Sequence, residues 1–162
     1  MFFQLKNGSS LSGIRIMSTN ERFTYDGLYR IVINEPTKHH IYHQENNPLG
    51  ILEETVSEYS DGKKLPFISS PQVLEYKYSL DALIEDLGSG VKNSNDIGLV
   101  VVWETGDVWT QHYKITSLLD RNNLDLRQYH GVTHTITNLN TGQLEMALIV
   151  LEELIQYLNA PE

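Results

Sequence analysis

The chain has 162 residues, of which 40% are hydrophobic and 20% are charged, with five prolines and no cysteine. This composition is typical of one soluble globular domain, and it excludes disulfides and thiolate metal sites. The net charge of −9 argues against a broad basic surface for nucleic acid, but it permits a local basic groove in the first half of the chain. Because no apolar run reaches the roughly 20 residues of a membrane helix and no secretory signal is recognisable, we expect a cytoplasmic protein without membrane contact.

The first part of the chain predicts two strands. Residues 1–13 are punctuated by Gly and Ser and are expected to form a tail or a junction to a preceding segment. The pattern predicts a short strand at residues 14–17 and a longer one at residues 22–33, where aromatic and β-branched side chains alternate with polar ones. In the longer strand Asp26 faces away from the aromatic side chains, and Gly27 beside it permits a bulge or the close approach of another backbone.

The next segment, up to Pro71, predicts smaller elements. Residues 39–43 are expected to form a return strand, and residues 51–59 about two turns of helix. The histidines at 39, 40 and 43 have the spacing of metal ligands, but they lack a glutamate between them and a third ligand. They are therefore interpreted as loop or edge-strand residues. A turn at residues 60–63 leads into an extended stretch between two prolines.

A strand at residues 73–78 is the centre of the predicted fold. Successive side chains of a strand point to opposite faces, so Glu75 and Lys77 share one face and Tyr76 lies on the other. A short amphipathic helix is predicted directly afterwards at residues 80–87, with Ser79 as its N-cap and Gly88 as its stop signal. Residues 97–103 are apolar without interruption, as in a strand that is covered on both faces. Strand, helix and strand form a βαβ unit with parallel strands.

The last third of the chain predicts a hairpin, a strand and a helix. Residues 104–107 resemble a hairpin turn that leads into a strand at 108–115. Residues 118–126 are not assigned, and residues 132–137 alternate as a strand does. A helix is predicted over residues 142–158, because its leucines fall on one broad stripe.

These elements predict a mixed α/β fold in one domain, residues 1–162, with a central mixed sheet that contains the βαβ unit and is flanked by helices. Residues 14–104 form the expected core of this domain. Residues 105–162 add the C-terminal hairpin, strand and helix.

The central unit also carries a resemblance to a known family. Glu75-x-Lys77 on a strand that runs straight into a helix, after an earlier strand with Asp26, resembles the PD-(D/E)XK (restriction-endonuclease-like) nuclease superfamily. More narrowly, residues 74–80, Asp86-Leu87 and residues 99–103 look like a module found at the end of large bacterial proteins with GHKL-type ATPase domains. The resemblance covers about residues 14–104.

The resemblance implies a metal-dependent DNA phosphodiesterase, an endonuclease-like domain of a bacterial defence or restriction-type system. Asp26 and Glu75 would hold Mg²⁺ or Mn²⁺, the backbone carbonyl of Tyr76 would face the metal, and Lys77 would help to stabilise the transition state. Asp26 lacks the preceding proline of the family motif and lies further ahead of Glu75 than is usual. Asp61 therefore remains an alternative partner acid.

Two further interpretations stay open. A D/E-x-K triplet arises by chance in a chain of this length, and residues 61–63 form a second one, so Glu75 and Lys77 are also compatible with an ordinary ion pair on a half-exposed sheet. The alternative function is a catalytically inactive nuclease-fold module. Such a module would dock an ATPase domain, a companion protein or a second copy in a homodimer.

Overall fold

A computed structural model describes residues 13–19, 25–61, 64–107, 110 and 112–159. These ranges leave out residues 1–12 of the tail predicted at 1–13 and the start of the strand predicted at 22–33. They also leave out residues 62 and 63 of the second triplet and most of 108–111. In the described ranges, no helix combines the length and the apolar character needed to cross a membrane.

The described residues form eight strands and three helices around one sheet. The strands are β1 (Ile14–Thr19), β2 (Gly27–Ile33), β3 (Phe67–Ile68), β4 (Gln72–Ser79), β5 (Ile97–Glu104), β6 (Tyr113–Ser117), β7 (His134–Asn138) and β8 (Leu144–Val150). The helices are α1 (Glu53–Ser60), α2 (Leu80–Gly88) and α3 (Leu151–Leu158). Short 3₁₀ turns cover Thr37–His39, Ser94–Asp96 and Arg121–Leu126.

The sheet is mixed, with the order β1-β2-β4-β5-β8-β7-β6, and β3 pairs with β2 outside this path. The pairs β4–β5 and β5–β8 are parallel, whereas β1–β2, β2–β4, β6–β7 and β7–β8 are antiparallel. The predicted βαβ unit is confirmed as β4, α2 and β5. The predicted mixed α/β architecture with a central mixed sheet and flanking helices is confirmed as well.

Helix α2 packs on one face of the sheet because its apolar side chains form one stripe, which is buried against the apolar side chains of that face. Ser79 begins the helix, and its Oγ accepts a hydrogen bond from the backbone N–H of Asp81 at 3.3 Å. The buried side chains of α2 share a core with Val100 and Val102 of β5 and with apolar residues of β7 and β8. Because Val73 of β4 also borders this core, Glu75 and Lys77 project on the same face, toward α2.

The opposite face of the sheet carries the other main core, which is covered by α3. Leu74, Leu99 and Tyr29 pack there against Leu154 and Leu158 of the helix. Burial of β5 on both faces explains its uninterrupted apolar sequence. Glu75 and Lys77 therefore lie on the α2 face of the sheet, and the core under α3 lies on the opposite face.

The helix predicted over residues 142–158 is wrong in its first half. Residues Leu144–Val150 form β8, which lies between β5 and β7, and the helix occupies only Leu151–Leu158. The five residues from 146 to 150 are apolar in succession. A strand buried on both faces has this pattern. The spacing of Leu144 and Leu148 also fits a helical stripe, so the sequence pattern did not distinguish the two structures.

Two other predictions are wrong. Residues 39–43 form no return strand, because Thr37–His39 is a 3₁₀ turn and only isolated bridges join Ile41 to Ile51 and His43 to Asn47. The predicted hairpin after β5 is absent from the described pairing, since β6 pairs with β7 at the far edge of the sheet. The position beside β5 is taken by β8, whose apolar run is better suited to a central strand.

Candidate functional site

The antiparallel pairing of β2 with β4 brings the first two predicted site residues together. Gly27 pairs with Leu74, so Asp26 immediately before β2 lies beside Glu75. The backbone N–H of Asp26 donates to Glu75 Oε1 at 3.0 Å, and the backbone N–H of Tyr76 donates to Asp26 Oδ2 at 2.8 Å. Each bond runs from a backbone N–H to a carboxylate, so the two bonds continue the strand pairing and hold both acids at the same register of the sheet.

Glu75 is completely buried and has a lysine as its counter-ion. Lys92 Nζ contacts Glu75 Oε2, and only 7% of the Lys92 side chain is exposed. A buried carboxylate is costly without a positive partner, so this contact is the main compensation for the burial of Glu75. Lys92 comes from the loop after α2 and had no place in the sequence prediction.

Lys77 lies on the same face but points to a different acid. Its Nζ is 3.1 Å from Asp86 Oδ2 on α2, and Lys92 Nζ is 3.6 Å from the same oxygen. Asp86 thus links the two lysines. We call Asp26, Glu75, Lys77, Asp86 and Lys92 the carboxylate–lysine cluster.

The charges of the cluster stabilise one another. A hydrogen bond from Lys77 holds the pKa of Asp86 below its usual value, with the charges of Lys77 and Lys92 adding to the effect against partial burial. Burial alone would lower the pKa of Lys92, but the hydrogen bond to Glu75 and the negative charges of Glu75, Asp26 and Asp86 outweigh it and raise that pKa. Both groups are therefore charged at neutral pH.

A tyrosine holds the loop that carries Lys92 against the start of β2. Tyr25 OH donates to Asp96 Oδ2 at 2.7 Å and accepts from the backbone N–H of Asn93 at 3.4 Å. The backbone N–H of Lys92 itself donates to the carbonyl of Asp86 at 3.2 Å. The cluster is therefore enclosed by β2, β4, the end of α2 and this loop.

The structure brings together some of the predicted site residues and separates others. Asp26 and Glu75 meet, and Tyr76 joins them through its N–H, whereas the sequence prediction used its carbonyl. Lys77 is turned toward α2. Asp61, the alternative partner acid, ends α1 at an exposed turn, and the acid in contact with Glu75 is Asp26.

The donor set fits a hard divalent cation in its chemistry. Mg²⁺ and Mn²⁺ prefer carboxylate oxygens, and two carboxylates from neighbouring strands are placed together here. Glu75 already accepts a cation, the ammonium of Lys92, which shows that this position is suited to positive charge. In the described part of the chain no group of three His, Asp or Glu side chains is arranged as a metal site. Asp26 and Glu75 would therefore need water to complete the coordination of an ion.

Known proteins add nothing to this geometry. Comparisons with protein-family models, with curated protein sequences and with solved structures gave no significant match. The basis for assigning a function is therefore the carboxylate–lysine cluster and the strands that build it.

Proposed function

We propose that this chain is a metal-dependent DNA phosphodiesterase of the PD-(D/E)XK, restriction-endonuclease-like type. Asp26 and Glu75 would be its metal ligands, and Lys77 the cationic group at the phosphate. The observation that carries the proposal is the pair of reciprocal hydrogen bonds between Asp26 and the Glu75–Tyr76 segment. They join the two acids that the resemblance pairs, although these acids lie far apart in the sequence.

The connectivity of the sheet also supports the proposal. Strands β1, β2, β4 and β5 are neighbours in this order, and α2 connects β4 to β5. Asp26 precedes β2, and Glu75-x-Lys77 lies on β4, the strand that runs straight into α2. This order of acid, triplet and helix supports the proposal, although Asp26 lies one residue before β2 and not on it.

The residues of the cluster have distinct chemical tasks in this proposal. A bound divalent ion would supply a more acidic water and neutralise charge on the phosphate. Asp26 and Glu75 would hold that ion through their carboxylates. Lys77 would place a positive charge beside the phosphate oxygens, and Asp86 would orient Lys77 through the contact of 3.1 Å.

Two arginines on the same face of the sheet as the cluster suit a phosphate backbone. Arg15 and Arg30 are partners in the β1–β2 ladder, and Leu28 of β2 pairs with Val73 of β4. Paired residues of antiparallel strands project on the same side, so both arginines share the sheet face of Lys77. Leu28 is 37% exposed, and this part of the face is therefore accessible. Two arginines there would contact phosphates without reading sequence.

The test is cleavage of supercoiled plasmid in Mg²⁺ or Mn²⁺. We expect nicking or linearisation by the wild-type chain and a loss of about a hundredfold or more in Lys77→Ala and Asp26→Asn. Lys114→Ala is the matched control, because Lys114 is an exposed lysine on β6 at the opposite edge of the sheet. Thermal melting shows whether each variant is folded. Absence of cleavage with both ions, or undiminished cleavage by Lys77→Ala, would refute the catalytic role.

The second candidate is an inactive nuclease-fold module for protein–protein interaction or dimerisation. The observation in its favour is the contact of Lys92 with Glu75, since an ammonium there satisfies the buried acid without a metal. This candidate predicts a folded chain that binds no Mn²⁺ and cleaves no DNA.

A further inference from the structure

Lys92 contacts the carboxylate of Glu75, which is one of the two proposed metal ligands. Its Nζ contacts one oxygen of the fully buried Glu75 and lies 3.6 Å from Asp86, while Lys77 already pairs with Asp86. A carboxylate without exposure needs one nearby cation, and a second one in contact with the same oxygen would be repelled. The contact therefore bears directly on metal binding.

The charge of the cluster favours exchange of one cation for another. Glu75 and Asp86 contact the two ammonium groups, and the negative charge of Asp26 also acts on Lys92. Three carboxylates and two ammonium groups leave one negative charge in excess. A divalent ion added beside both lysines would reverse that excess. If Lys92 withdraws, the ion, Lys77 and the three carboxylates are neutral together.

The position of Lys92 in the chain makes withdrawal feasible. It follows α2, which ends at Gly88, in a loop whose Gly90 has φ +81 and where a Cβ on Gly90 would meet nothing within 4 Å. A lysine has a flexible four-carbon stem, so its ammonium can leave Glu75 for solvent without unfolding α2 or β4.

We propose that Lys92 and a divalent metal ion exclude each other at Glu75, so that Lys92 is the resident counter-ion of the metal-free protein and is displaced when metal binds. This inference rests on the proposed function, since it uses Asp26 and Glu75 as the metal ligands. Lys92 is accordingly a built-in competitor that sets the metal concentration at which the site fills.

The experiment measures Mn²⁺ binding by titration calorimetry and by the electron paramagnetic resonance signal of free Mn²⁺, without DNA. We expect Lys92→Met to bind Mn²⁺ about tenfold or more tightly than wild type, because the competing charge is gone. Lys92→Arg keeps the charge and should bind no more tightly than wild type. Lys114→Met, which removes an exposed charge on β6, is the matched control and should bind as wild type does. Lys92→Gln replaces Lys92→Met if the latter does not fold.

The outcomes separate this inference from the proposed function. Equal or weaker Mn²⁺ binding by both neutral variants overturns the competition and leaves a binding wild-type site intact. Tighter binding by Lys92→Met without any plasmid cleavage supports the competition and refutes the phosphodiesterase. Absence of Mn²⁺ binding in wild type and in both neutral variants overturns both.

Discussion

At the scale of single residues, the site depends on which partner each charged side chain takes. Glu75 uses one oxygen for the N–H of Asp26 and the other for Lys92, and Lys77 is left to Asp86. The acid on α2 therefore sets the direction of the lysine on β4. We interpret Asp86 as a positioning residue for Lys77.

Replacing Asp86 by Asn tests this role. The change removes the charge that attracts Lys77 and keeps the shape of the side chain, so we expect kcat for plasmid cleavage to fall about tenfold with little change in KM for DNA. Glu85→Gln, at the exposed neighbouring position of α2, is the control and should cleave as wild type does. Equal kcat values for Asp86→Asn and wild type would remove Asp86 from the proposed machinery.

The sequence was informative about the cluster residues in strands and uninformative about those outside them. Strand alternation put Glu75 and Lys77 on one face of the strand before the predicted helix, and the resemblance added Asp26 as the partner acid. Asp86 lies in the last turn of α2 at the flank of its buried stripe, with 29% of its side chain exposed, and helical spacing did not assign it to the site. Lys92 lies in a loop, where no periodicity indicates direction, and its partner is distant in the chain.

At the scale of elements, close backbone contacts join the irregular segments on either side of residues 43–50. Gly50 lies in the crossing between Tyr42 and Ile51, where the N–H of Tyr42 donates to the carbonyl of Ile51 at 2.7 Å. A Cβ on Gly50 would be 2.5 Å from Tyr42 N, whereas a Cβ on Gly88 at the end of α2 would meet nothing within 4 Å. Close backbone packing therefore requires a glycine at position 50, whereas the space around position 88 would admit a larger side chain.

A matched pair of alanine substitutions measures this difference. We expect Gly50→Ala to lower the free energy of unfolding by about 2 kcal/mol or more, because backbone atoms cannot yield as a flexible side chain does. Gly88→Ala should leave it unchanged or raise it by up to about 1 kcal/mol, as alanine does in a helix. Urea unfolding followed by circular dichroism measures both changes. Equal effects of the two substitutions would contradict the tight crossing at Gly50.

Among the elements that the sequence predicted well, β4 and α2 have one unambiguous period, whereas β5 is a short apolar run between polar segments. Strand β4, helix α2 and strand β5 appear where they were predicted, and α1 and β7 agree within two residues. The first half of the predicted C-terminal helix failed because a continuous apolar run satisfies both a helical stripe and a strand buried on two faces. Pairing with β5, which is distant in the chain, and with the preceding strand β7 decided in favour of the strand.

At the scale of the whole molecule, buried polar side chains tie the loops of the α3 side together. Arg127 is fully buried, and its guanidinium donates to the carbonyls of Val132, Pro48, Gly50 and Leu118. His130 lies nearby, with its Nε2 2.7 Å from Asn47 Oδ1. These contacts join the segment after the 3₁₀ turn Arg121–Leu126 to the loop before α1.

The buried histidines make the stability of the fold dependent on pH. Burial lowers the pKa of His130 to about 3, and electrostatic interactions with His40 and with the positive charge of Arg127 add to the effect. Burial also lowers the pKa of His40 and of His134. An unfolded histidine has a pKa of about 6.5, so below that pH the unfolded chain binds more protons than the folded chain. The stability from these neutral imidazoles is thus complete above about pH 6.5 and is lost as the pH falls toward about 3.

Urea unfolding at about pH 7.5 and about pH 5 tests this dependence. We expect His130 to account for a loss of about 2 kcal/mol on acidification over this range. His130→Gln removes the titrating group and should show a smaller loss between the two pH values than wild type. His39→Gln, at an exposed histidine, should keep the wild-type loss. An identical pH dependence in His130→Gln and wild type would contradict the assignment to His130.

The place of β8 in the sheet has a consequence for synthesis on the ribosome. Strand β5 acquires its second hydrogen-bonded neighbour only from residues Leu144–Val150, although its first neighbour, β4, precedes it in the chain. A nascent chain that has emerged only as far as β7 therefore presents the apolar strand β5 as an open edge, which is a template for intermolecular pairing. Protection from aggregation arrives when β8 inserts between β5 and β7.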